Sequence, residues 1–185
     1  KRSLIRSMNT RPKRAFITGV FGQDGSYLAE HLLEHGYEVC GLVQESDLER
    51  GIAQQLLSRE GFSVCVGDLC DTKTILHTLT TFKPDELYSI AAVSDLKTAR
   101  ENPDYTYAVN FEAVRDLISG ALEILPQFRI FHALSSRILL SDESGVIDER
   151  SPLAEPKNAY DQAKRDSYEQ VIIPFREKGY FVTGG

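Results

Sequence analysis

Tyr160 and Lys164 stand four residues apart in Tyr160-Asp-Gln-Ala-Lys164, inside a stretch, Asn158 to Phe175, whose pattern predicts a helix. That spacing puts phenol and ammonium on one helical face, a turn apart. A cation beside a phenol favours the tyrosinate and draws its pKa down from about 10. Such a tyrosine can take a proton from a substrate hydroxyl near neutral pH. With eight tyrosines in the chain, a lysine four residues on is a common accident, so the pair gains meaning only from its setting. Ser135 is the first part of that setting. It ends a predicted strand, Phe128 to Leu134, and its hydroxyl could share the proton. The plainer reading is that Ser135 or Ser136 caps a loop.

The second stretch that could do chemistry is Gly19-Val20-Phe21-Gly22-Gln23-Asp24-Gly25, with three glycines spaced G-x-x-G-x-x-G. Ala15 to Val20 before it is a short apolar run of the kind found in buried parallel strands. After it comes a helical stripe of Leu28, Leu32 and Leu33 that stops at Gly36, followed by a second strand, Tyr37 to Val43. Glycines permit the tight turn and leave no Cβ between backbone N–H groups and a bound pyrophosphate. The helix turns its positive end toward that anion. Strand, loop, helix and strand in this order favour a dinucleotide site over an ordinary αβ turn, with Gly19, Gly22, Gln23, Asp24 and Gly25 at the phosphates.

The 185 residues suffice for one domain with a real core. Residues 1–14 carry six cations and no acid, so a net charge of −6 becomes −12 over the rest. So acidic a body argues against nucleic acid as a partner. The basic arm, 1–14, reads as a disordered leader that would contain a native start at Met8, and 15–185 as the folded domain. No run approaches the roughly 18 apolar residues of a membrane span. Cys40, Cys65 and Cys70 are odd in number and lack C-x-x-C spacing, which fits a reducing cytoplasm. His31, Glu34 and His35 spell an inverted zinc-protease motif, but no third ligand is evident and no metal is expected. His77 and His132 read as structural histidines.

Further along, Leu48 to Leu57 predicts a helix, Phe62 to Val66 a third strand, Lys73 to Phe82 a helix and Glu86 to Ile90 a fourth strand. Asp68-Leu69 follows strand three where ligands of open α/β sheets gather; the alternative is a helix cap shared with Asp71 or Thr72. A long helix, about Tyr105 to Leu125, ends at Pro126, and Tyr180 to Thr183 is strand six. The alternation predicts an α/β, doubly wound parallel sheet of order 3-2-1-4-5-6 between two helical layers.

The string TGVFGQDGSYLAE, 18–30, resembles the extended short-chain dehydrogenase/reductases, and within them the GDP-mannose 4,6-dehydratase family. The resemblance implies a nicotinamide cofactor, NAD or NADP. It puts Asp68 and Leu69 at the adenine, Ala91-Ala92-Val93-Ser94 after Ile90 at the pyrophosphate and ribose, and Tyr105 at a matching S-P-x-Y position. Lys164 would also bind the nicotinamide ribose. Phe131 to Arg137 aligns with the family's A-S-T-S-E, which makes Ser135 catalytic beside Tyr160 and Lys164. There are departures. Val93 stands where a glutamine is usual, and Leu139-Leu140 replaces Tyr-Gly. Arg137 stands where the dehydratases need a glutamate base, and a guanidinium has no acceptor. Glu143 is near but does not align. After Val43 come Gln44-Glu45-Ser46-Asp47 rather than arginines, which leans toward NAD because acids repel a 2′-phosphate. By resemblance the substrate is a nucleotide-diphosphate sugar, GDP-mannose, and the protein a homo-oligomer paired through two helices on one sheet face. A sugar-nucleotide 4-epimerase or 4-keto reductase, and a non-catalytic dinucleotide-binding module, are the alternatives. Family chains run on well past the equivalent of Gly185, into the part that holds the sugar.

Overall fold

The computed structural model describes residues 11–49, 51–141 and 144–185. Most of the expected leader, including Met8, and Glu143 lie outside the described residues. Six parallel strands form the sheet: β1 (Arg14–Thr18), β2 (Glu38–Val43), β3 (Phe62–Val66), β4 (Glu86–Ser89), β5 (Arg129–His132) and β6 (Val182–Gly184). Their order is β3-β2-β1-β4-β5-β6, as the alternation predicts. Helices cover both faces, so β1 is apolar at every inner position. Phe16 joins one core with Leu87, Ile75, Leu117 and Ile118, while its neighbours Ala15 and Ile17 join the other with Ala29, Leu32 and Leu56.

The helices are α1 (Gln23–Glu34), α2 (Gly51–Leu57), α3 (Thr72–Phe82), α4 (Leu96–Glu101), α5 (Pro103–Tyr107), α6 (Ala113–Ile124), α7 (Ala159–Asp166) and α8 (Ile173–Glu177). Three details differ from the sequence reading. The single helix expected over Leu48 to Leu57 is a 3₁₀ turn, Glu45–Glu49, and then α2. A short helix, α4, capped by Asp95, precedes the long one. The long helix and the Tyr160 helix each contain a π turn, Ala108–Glu112 and Ser167–Ile172. The second lies just before Pro174, which has no N–H to continue a regular ladder.

Arg14 opens β1, and its Nε donates to Glu38 Oε2 at 2.6 Å. Arg11 forks onto both oxygens of Asp85 at 2.8 Å. Residues 11–14, expected in the leader, are therefore stitched to the sheet. No helix among the described residues is long and apolar enough to cross a membrane.

Candidate cofactor cleft and active site

A cleft of about 590 Å³ opens beyond the carboxyl ends of the strands, where the strand order reverses between the sheet neighbours β1 and β4. Gly19, Gly22, Gln23, Asp24 and Gly25 line one part of it. Gln44, Asp68, Leu69 and Tyr105 line another, Ile90 to Ser94 a third, and Tyr160 and Lys164 stand at the far end. The glycine loop and the phenol thus share one continuous space. Ser135 does not line it; its Oγ accepts from Arg137 N at 3.3 Å and caps the 3₁₀ turn Ser136–Ile138.

The loop's geometry explains its glycines. Gly19 has φ +72°, and a Cβ there would lie 2.9 Å from Ala91 Cα. A Cβ on Gly25 would collide with the carbonyl oxygen of Gly19. Gly22 N donates to Gly19 O at 2.9 Å to close the turn, and Gly22 then caps α1 with no side chain over its first amides. Positive-φ backbone and bare amides at a helix start form a cradle for an anion, and side chains would fill it. The residues present therefore fit a dinucleotide diphosphate.

Two buried side chains fix the opposite wall. Thr18 Oγ1 accepts from Ile90 N and Ala91 N at 3.0 and 3.1 Å, which ties the ends of β1 and β4 together. Asn110, inside the first π turn, reads Val93 twice: Oδ1 accepts from its N at 2.7 Å and Nδ2 donates to its O at 3.0 Å. At the other end of the cleft, Gln44 Nε2 donates to Asp68 Oδ2 at 2.9 Å. The cap of α3 is Asp71, not Asp68. The acid that reaches the cleft after β2 is Asp47, while Glu45 stands exposed outside it.

Asn158 caps α7 by accepting from Asp161 N at 3.0 Å, which sets Tyr160 in the first turn. Lys164 is 2% exposed, and its Nζ donates to Ala133 O at 2.6 Å and lies 6.0 Å from the Tyr160 ring centroid. Burial pulls its pKa down to about 8. Neighbouring His132 is held down to about 3, chiefly by burial and further by the Lys164 charge. Its Nδ1 lies 3.1 Å from Ser89 O, and its Nε2 has no partner among the described residues. The helix itself is pinned by Tyr107, whose hydroxyl donates to Asp166 Oδ2 at 2.8 Å, and by Ser167, whose Oγ donates to Asn110 O at 3.3 Å. Arg137 grips Asp161 Oδ1 through Nε at 2.7 Å. Burial opposes ionisation of Asp161, but the arginine and the Lys157 amide outweigh it and hold the carboxyl below its ordinary range.

The family model described as GDP-mannose 4,6 dehydratase matches residues 16–185. The chain belongs to that family. Among GDP-mannose 4,6-dehydratases, that called sdnI of Sordaria araneosa is 35% identical over 179 residues, 95% of this chain and 32% of its own length. One from Vibrio cholerae is 32% identical over 182 residues, 94% of this chain and 48% of its own. This chain thus spans a third to a half of such relatives. Among solved structures, the UDP-Glc/GlcNAc 4-epimerase of Campylobacter jejuni matches with TM-score 0.82 at 23% identity, over 92% of this chain and 51% of its own. The dTDP-glucose 4,6-dehydratase of Bacillus anthracis, in complex with NAD, matches with TM-score 0.78 at 14% identity, over 93% and 53%. At such identities these two speak for the fold.

Within this GDP-mannose 4,6 dehydratase family member, several site residues lay outside sequence reasoning. Phe21, inside the glycine stretch, and Gly67, just before Asp68, also line the cleft, as do Leu42, Ala133 and Leu134, which only their places at strand ends could have marked. Thr18, a polar residue at the end of an apolar strand, did carry such a signal. Asp161 carried none.

Proposed function

We propose that this chain provides the dinucleotide-binding and proton-transfer part of an NAD(P)-dependent enzyme that modifies a nucleotide-diphosphate sugar. The observation that carries this reading is the single cleft that joins the glycine cradle to Tyr160 and Lys164. The residues that would hold the cofactor are Gly19 to Gly25 at its diphosphate, Gln44, Asp68, Leu69 and Tyr105 at its adenosine, and Ile90 to Ser94 with Lys164 toward its nicotinamide. When bound, it supplies a hydride acceptor or donor at the sugar carbon. Tyr160 takes or returns the hydroxyl proton, Ser135 orients the substrate oxygen once its Oγ turns from the Arg137 amide, and buried Lys164 supports both. Asp47 beside Gln44 supports NAD over NADP. The similarity to GDP-mannose 4,6-dehydratases makes GDP-mannose the first substrate to test. Homo-oligomers, built on the helices that carry Tyr160, and a reducing cytoplasm belong to the same proposal.

One observation favours a second reaction type. Arg137 is committed to Asp161 and cannot accept the proton beside a C4 ketone, which an elimination of water requires. That supports interconversion of alcohol and ketone, as in a 4-epimerase or 4-keto reductase. The deciding experiment incubates full-length protein with NAD⁺ or NADP⁺ and GDP-mannose and identifies products by NMR. A 4-keto-6-deoxy sugar supports dehydration; a C4 epimer, or reduction of an added 4-keto sugar when NADH or NADPH replaces the oxidised cofactor as hydride donor, supports the second reaction. Cofactor binding without turnover, unchanged by Tyr160→Phe, would reduce the protein to a binding module.

A further inference from the structure

One ion pair joins the turn after β5 to the first turn of α7, and the chemistry above assigns it no task as an acid, base or ligand. Arg137 Nε and Nη2 donate to Asp161 Oδ1 and Oδ2 at 2.7 and 3.1 Å, two nearly parallel bonds from a planar fork. Asp161 Oδ2 accepts two more, from Lys157 N at 3.2 Å and Asn158 Nδ2 at 3.0 Å. The carboxylate side chain is 4% exposed and the arginine 42%. An exposed pair of long side chains would contribute little. Here one partner is buried, and four donors give it a single geometry.

Its position matters more than its strength. Arg137 is two residues past Ser135, and Asp161 is the residue after Tyr160. Behind them the two segments are zipped: Leu139 bridges Leu153, Ala154 N donates to Ile138 O at 2.8 Å, and Leu140 N donates to Pro152 O at 2.8 Å. Neither Arg137 nor Asp161 lines the cofactor cleft. We propose that Arg137 and Asp161 are positioning residues, a two-point clasp that fixes the segment of Ser135 against the segment of Tyr160 so that both hydroxyls meet one substrate oxygen. This rests on the roles of Ser135 and Tyr160 proposed above. The clasp needs the guanidinium fork, because an ammonium cannot hold both carboxylate oxygens in one plane.

The test uses full-length protein carrying Arg137→Lys, Asp161→Asn, or the reciprocal pair Arg137→Asp with Asp161→Arg. Three readouts are taken: cofactor affinity by titration, kcat and KM for the sugar conversion, and the ring ¹³C resonance of Tyr160 without ligands, assigned by its loss in Tyr160→Phe. In both single variants kcat should fall roughly 10- to 100-fold while cofactor affinity changes less than about twofold, since small misplacements of reacting groups cost that much. The Tyr160 resonance should move or broaden in both, and the reciprocal pair should bring back part of the rate and of the signal. Single variants with wild-type kcat and resonance, or with cofactor affinity lost in step with kcat, would overturn the clasp. Should Asp161→Asn fail to fold, Arg137→Lys decides alone, because it alters the exposed partner. If the wild type converts no nucleotide sugar, the enzymatic reading fails, while the Tyr160 resonance still judges the clasp.

Discussion

Lys164 is pulled two ways, because burial disfavours the charge that its proposed task needs. Its folded pKa of about 8 lies below the ordinary 10.5. Between those values the unfolded chain holds more protons than the folded one, so stability rises with pH through that window and is lowest below pH 8. A shift of that size is a penalty of about 3 kcal/mol at neutral pH. Lys164→Met should remove it but leave Ala133 O without its donor, a loss of about 1 kcal/mol. The expected result is a variant roughly 1–2 kcal/mol more stable in denaturant at pH 7, an advantage that shrinks by pH 10, with turnover reduced at least about 100-fold. His132 gives the same sign at acid pH. Its pKa of about 3 means that stability falls as pH drops from 6.5 toward 3, and His132→Gln should flatten that fall.

At the scale of elements, the cleft depends on two places where backbone must come close or be held. Gly25→Ala would push a methyl into the Gly19 carbonyl. It should weaken dinucleotide binding at least about tenfold and lower stability by roughly 1–3 kcal/mol, measured by cofactor titration and thermal melting. Asn110→Leu leaves both polar groups of Val93 without their partner, so a loss of about 1–3 kcal/mol is expected in the same melt, with weaker cofactor binding because the wall at Ala91 to Ser94 loosens. These two positions also show what a sequence can and cannot reveal. The glycine spacing, the strand at Phe62 to Val66 and the C-terminal glycine of α1, Gly36 at φ +78°, follow from local rules and were legible. Asn110 falls inside the helix predicted over Tyr105 to Leu125, but nothing marked it as a staple, because the π turn that aims it at Val93 arises from packing. Ser135 was legible as a hydroxyl at a strand end, yet its bond to the Arg137 amide depends on the turn that follows. The clasp joins positions 24 residues apart with no periodicity to announce it.

For the molecule as a whole, charge is distributed so that one end of the cleft is cationic and the other acidic. Lys164 stands beside Tyr160, whereas Gln44, Asp47 and Asp68 surround the proposed adenosine end, and neither Lys nor Arg lines the cleft there among the described residues. A ribose with free hydroxyls can donate to oxygens at that end; a 2′-phosphate would bring further negative charge to a part of the cleft lined by acidic side chains. Like charges about 4 Å apart in a hydrated site repel by about 1 kcal/mol or more each, enough for a preference of about tenfold or greater. NAD⁺ should therefore bind at least about tenfold more tightly than NADP⁺ in parallel titrations, and the gap should narrow as salt screens the carboxylates. Asp47→Arg should shrink or reverse it, since a guanidinium can grip the phosphate that the carboxylate repels. Equal or tighter NADP⁺ binding by the unaltered protein would mean that Gln44 and Asp47 do not face the ribose, and the orientation of the cofactor along the cleft would have to be redrawn.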